Sequence, residues 1–291
     1  MQWLQLSNRV WLWVFGIVLT CISVFFFIHY YQNGLGLAYN DARSHLDIGR
    51  RVVEGLKPGL AQLGSVWLPL PHLLMVATIW NDFMWHSGLA GAIISMISFV
   101  VTGLLMYLWL AYIRVGMLGR IVALALFVTN INILYLQSTA MTELLLMATM
   151  MAGSYFMLKW HHEEKLLYVI YGGLFVMAST LIRYEGWFLL LATTALVAFH
   201  MFRKKGLRSA EGMVVLFGTL AGFGIFLWLL WNQLIFQDAL YFAFGPFSAH
   251  AQQTQLEQAG ILATKGNLFL SLKIYLYALA YNAGAFSALL G

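Results

Sequence analysis

The sequence predicts an all-α polytopic membrane protein, and three observations carry that prediction. Of 291 residues, 62% are hydrophobic and only 9% charged, with a mean hydropathy of +0.79. That composition excludes a soluble globular domain. Several windows of roughly 18 or more apolar residues are long enough to cross a hydrocarbon layer as helices. The scarce charges concentrate in one long segment, about 29–87, between the first two of these windows.

The windows lie at about 10–28, 88–113, 120–137, 142–159, 166–182, 187–202, 212–235 and 268–290, which predicts about eight spans in a single transmembrane domain over 1–291. The first follows Arg9, exceeds a signal-peptide core and precedes no small-x-small cleavage pattern, so it reads as a retained anchor. Gln137-Ser138-Thr139 separates the third and fourth windows, and Arg183-Tyr184-Glu185-Gly186 the fifth and sixth. Gly218 and Gly222 form a small-xxx-small pattern, which predicts helix packing inside the bundle rather than dimerisation. The chain stops at Ala288-Leu289-Leu290-Gly291 inside a hydrophobic segment, as expected of a short form or a fragment.

Charge sets the orientation. With the N-terminus in the cytoplasm, Arg9, Arg114, Arg120, Lys159, Lys165, Arg203, Lys204, Lys205 and Arg208 fall inside, as positive charge in short loops requires. Asp41, Asp47, Glu54, Asp82, Glu143, Glu185, Asp238 and Glu257 then gather on the non-cytoplasmic side. The net charge of +5 is spent on this orientation and does not imply a nucleic-acid partner. Cys21 stands alone, so neither a disulfide nor a cysteine-based metal site is available.

Within the first loop, Leu46, Ile48, Val52, Val53 and Leu56 predict an amphipathic surface helix over Asp41–Leu56, with Arg50, Arg51 and Glu54 on its wet side. Lys57-Pro58-Gly59 ends it. Pro69 and Pro71 are expected to break regular structure, and His72–Trp80 is too short to span, which predicts a second interfacial helix. A second outer loop, 236–267, holds Gly245-Pro246-Phe247, His250 and the polar run Gln252-Gln253-Thr254-Gln255, and is expected to be partly helical.

Asp41 leads the candidates for chemistry. A carboxylate close to the membrane surface can take a proton from an attacking hydroxyl or amine; equally, Asn40 or Asp41 suits a helix N-cap. Glu143 fits either a first-turn acidic residue or a second carboxylate that holds a cation or the acceptor. Arg183, beside Glu185, fits a phosphate partner or an internal salt bridge. His45 and His72 are candidates to contact a phosphate, or to ligate a metal with Asp41 or Glu143, although no pair has a recognised metal spacing. His161-His162-Glu163-Glu164-Lys165 reads as a solvated cytoplasmic turn, and Asp82, Glu257 and Lys265 as loop-surface charges. No phosphate-binding glycine loop or serine-nucleophile motif is present in a credible context.

The pattern Asp41-x-x-x-His45-Leu46-x-Ile48-x-Arg50-Arg51 after a first span resembles the polytopic glycosyltransferases of the GT-C fold. So do the segment Pro58–His72, Thr142-Glu143, Arg183-Tyr184-Glu185-Gly186-Trp187 and Thr264-Lys265-Gly266-Asn267. The nearest resemblance is to glycosyltransferase family 39, the protein mannosyltransferase and aminoarabinose transferase group. It implies a GT-C-like helical bundle in the plasma (inner) membrane. It also implies transfer of a sugar, with inversion, from a polyprenyl-phosphate donor to a protein, lipid or glycan acceptor on the non-cytoplasmic face, among membrane lipids. Carried over residue by residue, Asp41 is the base, Arg183 and Arg43 hold the donor phosphate, and Glu143 shapes the site or binds a divalent cation. His45, His72 and Glu185 complete the substrate-binding set. The sequence departs from many relatives in reading Asn40-Asp41-Ala42 where they carry an Asp-Glu pair. Two other classes fit the same chain: a transporter or flippase of lipid-linked substrates, and a non-catalytic GT-C-like subunit. Ion-coupled carriers place charges near the bilayer midplane, whereas the second to seventh windows lack Asp, Glu, Lys and Arg near their centres.

Overall fold

A row of apolar helices carries a small helical cap at one end. The structure, a computed structural model, describes residues 8–283, and among these every regular element is helical. Helix α1 (Asn8–Gln32) enters the bundle. The cap follows as α2 (Asn40–Val53), a 3-10 turn (Leu60–Leu63), α3 (Leu70–Met75) and α4 (Asp82–His86). The bundle continues with α5 (Leu89–Tyr112), α6 (Met117–Thr129), α7 (Ile131–Gln137), α8 (Glu143–Glu163), α9 (Leu166–Thr180), α10 (Glu185–Lys205) and α11 (Leu207–Phe236). Short α12 (Tyr241–Phe244) and α13 (Ala249–Gln258) precede α14 (Leu268–Ala283).

Four of these helices, α1, α5, α10 and α11, are long and apolar enough to cross a membrane, and α6 with α7 makes a fifth if the pair crosses as one. The expected third span is therefore broken: α6 and α7 meet at 66°. Asn130 is the cause, because its backbone is extended and its side chain accepts from the Ile133 amide at 3.2 Å, capping α7. The expected spans at 142–159 and 166–182 fall on α8 and α9. Helix α9 has 15 residues, fewer than the roughly 20 a full crossing takes. Helix α8 has the length, but Thr149, Ser154 and Lys159 dilute its apolar character. The expected span at 268–290 begins as α14 and runs past the described residues, as does the reading of the chain end.

Helix α1 packs on α5, α5 on α8, α8 on α9, and α9 on both α10 and α11. Small residues allow the close approaches, as expected where lipid gives helices no hydrophobic reason to associate. A Cβ on Gly224 would stand 2.4 Å from the Thr180 hydroxyl, and one on Gly186 would stand 2.3 Å from the Ser179 carbonyl. The packing expected of the Gly218–Gly222 pair is not at Gly218, which faces open space; Gly222 only touches Leu190. Ala221 and Gly224 do that work instead, both buried.

Ala42 and Leu46 of α2, Met75 at the end of α3, Ile79 just beyond it, Ala90 of α5 and Ala140 and Met141 before α8 form one buried cluster that seats the cap on the bundle. Helix α2 ends at Val53, so Leu56, expected on the apolar face, is fully exposed. The prolines do not break structure as expected. Pro69 is the N-cap of α3 and Pro71 lies in its first turn, where the missing amide hydrogen costs nothing and φ is preset. The cap is tied down by the Leu70 amide to the Leu181 carbonyl (3.0 Å), the Tyr184 hydroxyl to the Val66 carbonyl (2.6 Å) and the Trp231 indole to the Gly64 carbonyl (3.4 Å). In the second loop, the glutamine run is helical within α13, which Ser248 caps by accepting from the Ala251 amide at 3.2 Å. Phe242 of α12 stacks on Tyr184 at 5.6 Å and abuts Trp187 and Trp228.

Candidate functional site

The α9–α10 corner, where Thr180 gives way to Glu185, carries Arg183 under the cap. Its guanidinium spends most of its donors. Nη1 donates to Glu143 Oε1 at 2.9 Å and to the Thr142 hydroxyl at 3.3 Å; Nη2 donates to Glu185 Oε1 at 2.9 Å; Nε donates to the same carboxylate at 3.2 Å. One Nη2 hydrogen remains unspent. The Glu143 Oε2 atom is buried and has no hydrogen-bond partner. Glu143 is the first residue of α8, the first-turn acid that its position suggested.

Asp41 is not the helix cap. Tyr39 takes that place, without a side-chain hydrogen bond, and Asp41 lies in the first turn of α2. Among the described residues it makes no hydrogen bond or ion pair, and it is only half-buried. It lies close enough to Arg183 for its charge to stabilise the guanidinium. Glu143 and Glu185 thus brace one arginine while the Asp41 charge acts on it without contact, and three carboxylates outnumber the single positive charge.

One turn along the same face of α2, His45 Nδ1 meets His72 Nε2 of α3 at 2.9 Å. His45 is 4% exposed and His72 fully buried. The Trp67 ring lies 4.4 Å from the His45 ring. Burial, with the Arg183 charge adding to it, pushes His45 down to about 4. Burial, followed by the His45 charge, pushes His72 down to about 3. Both imidazoles are therefore neutral at neutral pH. The alternative metal set is not assembled: the two rings face each other, and no group of three or more His, Cys, Asp or Glu among the described residues is disposed to hold a metal ion.

Arg43 is not brought to Arg183. Two residues beyond Asp41, it projects from the other side of α2, where Nε pairs with Asp47 at 3.2 Å and the guanidinium lies 4.8 Å from the Trp85 ring. Arg50 joins it there instead of facing water. It donates to the carbonyls of Ile79 (2.9 Å) and Trp80 (2.8 Å) and to Asp82 (2.6 Å), pairs with Glu54, and lies over the same Trp85 ring at 4.8 Å. Asp82, at the start of α4, is a surface charge as expected, its side chain 76% exposed, and it pairs there with Arg50. The Trp85 indole donates to Asp47 at 2.9 Å. Arg43, Asp47, Arg50, Arg51, Glu54, Asp82, Trp85 and His86 line a groove of about 670 Å³.

The remaining charges settle as follows. Glu257 pairs with Lys265. His161 and His162 lie on the last turn of α8 rather than in a turn, and both are exposed. Sequence reasoning passed over Trp67, Tyr184 and Phe242 as site-builders. Tyr184 had a visible signal in its place between Arg183 and Glu185; Trp67 and Phe242 act through contacts between distant segments, which no local pattern announces.

No family model matches the sequence, and no curated protein or solved structure matches it either.

Proposed function

We propose that the chain is a membrane glycosyltransferase that moves a sugar from a polyprenyl-phosphate donor to a hydroxyl or amine acceptor, with Asp41 as general base. The observation that carries this reading is a carboxylate-braced guanidinium, Arg183, at one end of an apolar bundle, with the unpaired carboxylate of Asp41 near enough for its charge to act on it. The GT-C resemblance supplies the reaction class. In this reading the bundle has eight crossings, with α8, α9 and α14 included. The N-terminus is cytoplasmic, and the cap faces the non-cytoplasmic side of the plasma membrane.

The chemistry follows from the charges. The acceptor oxygen or nitrogen gives its proton to Asp41 as it bonds to the sugar carbon. The bond from that carbon to the phosphate oxygen breaks on the opposite side, and polyprenyl phosphate leaves. Arg183 meets the departing charge with its unspent Nη2 hydrogen and with those that Glu185, its more exposed partner, yields to the phosphate. Glu143 keeps its hold and fixes the guanidinium in place. A positioned base contributes roughly 10²–10⁴-fold, and holding the reactants in line contributes several kcal/mol more, to about 7–11 at best. Transport is the weaker reading, because Asp41, Glu143, Arg183 and Glu185 stand at one end of the bundle and helices α5 to α11 carry no Asp, Glu, Lys or Arg near their centres.

The test is turnover of a radiolabelled polyprenyl-phosphate sugar by purified, lipid-reconstituted protein. Release of polyprenyl phosphate by the wild type, reduced about 10²–10⁴-fold in Asp41→Asn, is the expected result. Equal release by a folded Asp41→Asn variant sinks the role of Asp41. Failure of the wild type to bind any such donor sinks the transferase.

A further inference from the structure

We propose that His45 and His72 are a positioning pair, joined through a single shared hydrogen, that holds the Asp41 end of α2 over Arg183. This rests on the transferase reading. The resemblance cast both histidines as substrate contacts, but their geometry argues otherwise. His72 is fully buried and His45 is 4% exposed beneath Trp67, so a substrate has no route to His72 and almost none to His45. Their facing nitrogens, 2.9 Å apart, are spent on each other. The pair spans two elements: His45 belongs to α2, four residues after Asp41, and His72 to α3, whose first amide is bonded to Leu181 at the corner bearing Arg183. Asp41, His45, His72, Leu181 and Arg183 therefore form one continuous structural path. Without the link, α2 keeps its buried Ala42 and Leu46 contacts and its Arg50 bonds, but the turn that bears Asp41 loses its polar tie to α3 and shifts relative to Arg183.

A nitrogen-to-nitrogen hydrogen bond needs one donor and one lone pair. With both rings neutral, one N–H lies between them; with both protonated, two N–H groups point at each other and the link fails. The other charges acting on the rings are Arg183, from the α9–α10 corner, on His45, and Arg51, from α2, on His72; both are positive and oppose protonation. The sign of the pH dependence follows. The unfolded histidines titrate near 6.5, and the folded pair well below. The link's stabilisation is complete above about pH 6.5. It weakens as the pH falls below that value and is lost only when both rings are protonated, near pH 3.

The test uses side chains that do not titrate. Asn reproduces the position of His Nδ1 and Gln that of His Nε2, so His45→Asn/His72→Gln restores an amide link in place of the imidazole one. Sugar release is measured at pH 7.5, and the thermal unfolding midpoint from pH 3 to 8, on the full-length protein in lipid. For His72→Ala, at least a tenfold loss of turnover at pH 7.5 in folded protein is expected. The amide pair is expected to stay within threefold of wild-type turnover at that pH, and its unfolding midpoint to fall less than that of wild type as the pH drops. Full turnover by His72→Ala at pH 7.5, or an acidic fall of the unfolding midpoint as large in the amide pair as in wild type, overturns the proposal. If the wild type transfers nothing at pH 7.5, the transferase reading fails. The link is then judged on unfolding alone: a smaller acidic fall in the amide pair than in wild type supports it, and an equal one overturns it.

Discussion

Arg183 donates to Glu143 at 2.9 Å across forty positions of sequence, and the pair joins the end of α9 to the first turn of α8. Only an arginine can hold Glu143 and Thr142 with one nitrogen and Glu185 with the other two. For Arg183→Lys, a single ammonium remains and at least one carboxylate loses its partner. The expected loss is roughly 1–3 kcal/mol of stability, read as a lower unfolding midpoint in detergent. Turnover of the lipid-linked donor is expected to fall at least 100-fold. An unchanged midpoint removes the structural claim; unchanged turnover removes the proposed contact with phosphate.

What the sequence disclosed divides along a physical line. The all-helical membrane class was legible because it depends on apolar windows, and the amphipathic α2 because its periodicity is local. The break at Asn130 was not, because an isolated Asn within an apolar run is compatible with an intact span until its side chain finds the Ile133 amide. Asp41, Glu143 and Arg183 could be picked as charges stranded among apolar residues. Which of them meet could not be picked. Arg43 and Asp41 are two residues apart, yet a helix turns them to different sides. The partners of Arg50, the carbonyls of Ile79 and Trp80, carry no sequence signature.

Tyr184→Phe isolates the docking of the cap. Its hydroxyl donates to the Val66 carbonyl at 2.6 Å, while its ring stacks on Phe242, which Phe preserves. The lost hydrogen bond is worth roughly 0.5–1.5 kcal/mol. Faster amide exchange is expected in the 60–70 segment, with the 241–244 segment unchanged. Exchange that quickens equally in both segments contradicts the separation of the two contacts.

Two glycines give opposite predictions for the same substitution. Gly186→Ala places a methyl 2.3 Å from the Ser179 carbonyl, where only backbone movement relieves the clash. Overpacking of that kind costs roughly 1–3 kcal/mol, and a falling yield of folded protein measures it. Gly218→Ala meets nothing within 4 Å and sits inside α11. There the methyl should stabilise the helix by about 0.5–1 kcal/mol. If the two variants unfold alike, the α9–α10 corner is not packed as described.

Arg43→Ala separates the observed geometry from the role the resemblance implies. A donor-phosphate contact predicts a large loss of turnover. In the structure, however, Arg43 pairs with Asp47 and covers Trp85, and its side chain is 35% exposed. An exposed pair of this kind contributes about 0–1 kcal/mol, and a cation over an exposed indole about 0.5–1 kcal/mol. The expected result is therefore a small drop in the unfolding midpoint and less than a threefold change in turnover. Arg50→Ala, by contrast, strips the carbonyls of Ile79 and Trp80 of their donor and leaves Asp82 unpaired. It should quicken amide exchange across 79–88 while leaving α8 and α9 untouched. Should Arg43→Ala match Arg183→Lys in lost turnover, Arg43 swings across α2 to reach the donor, and the separation of the two arginine clusters is wrong.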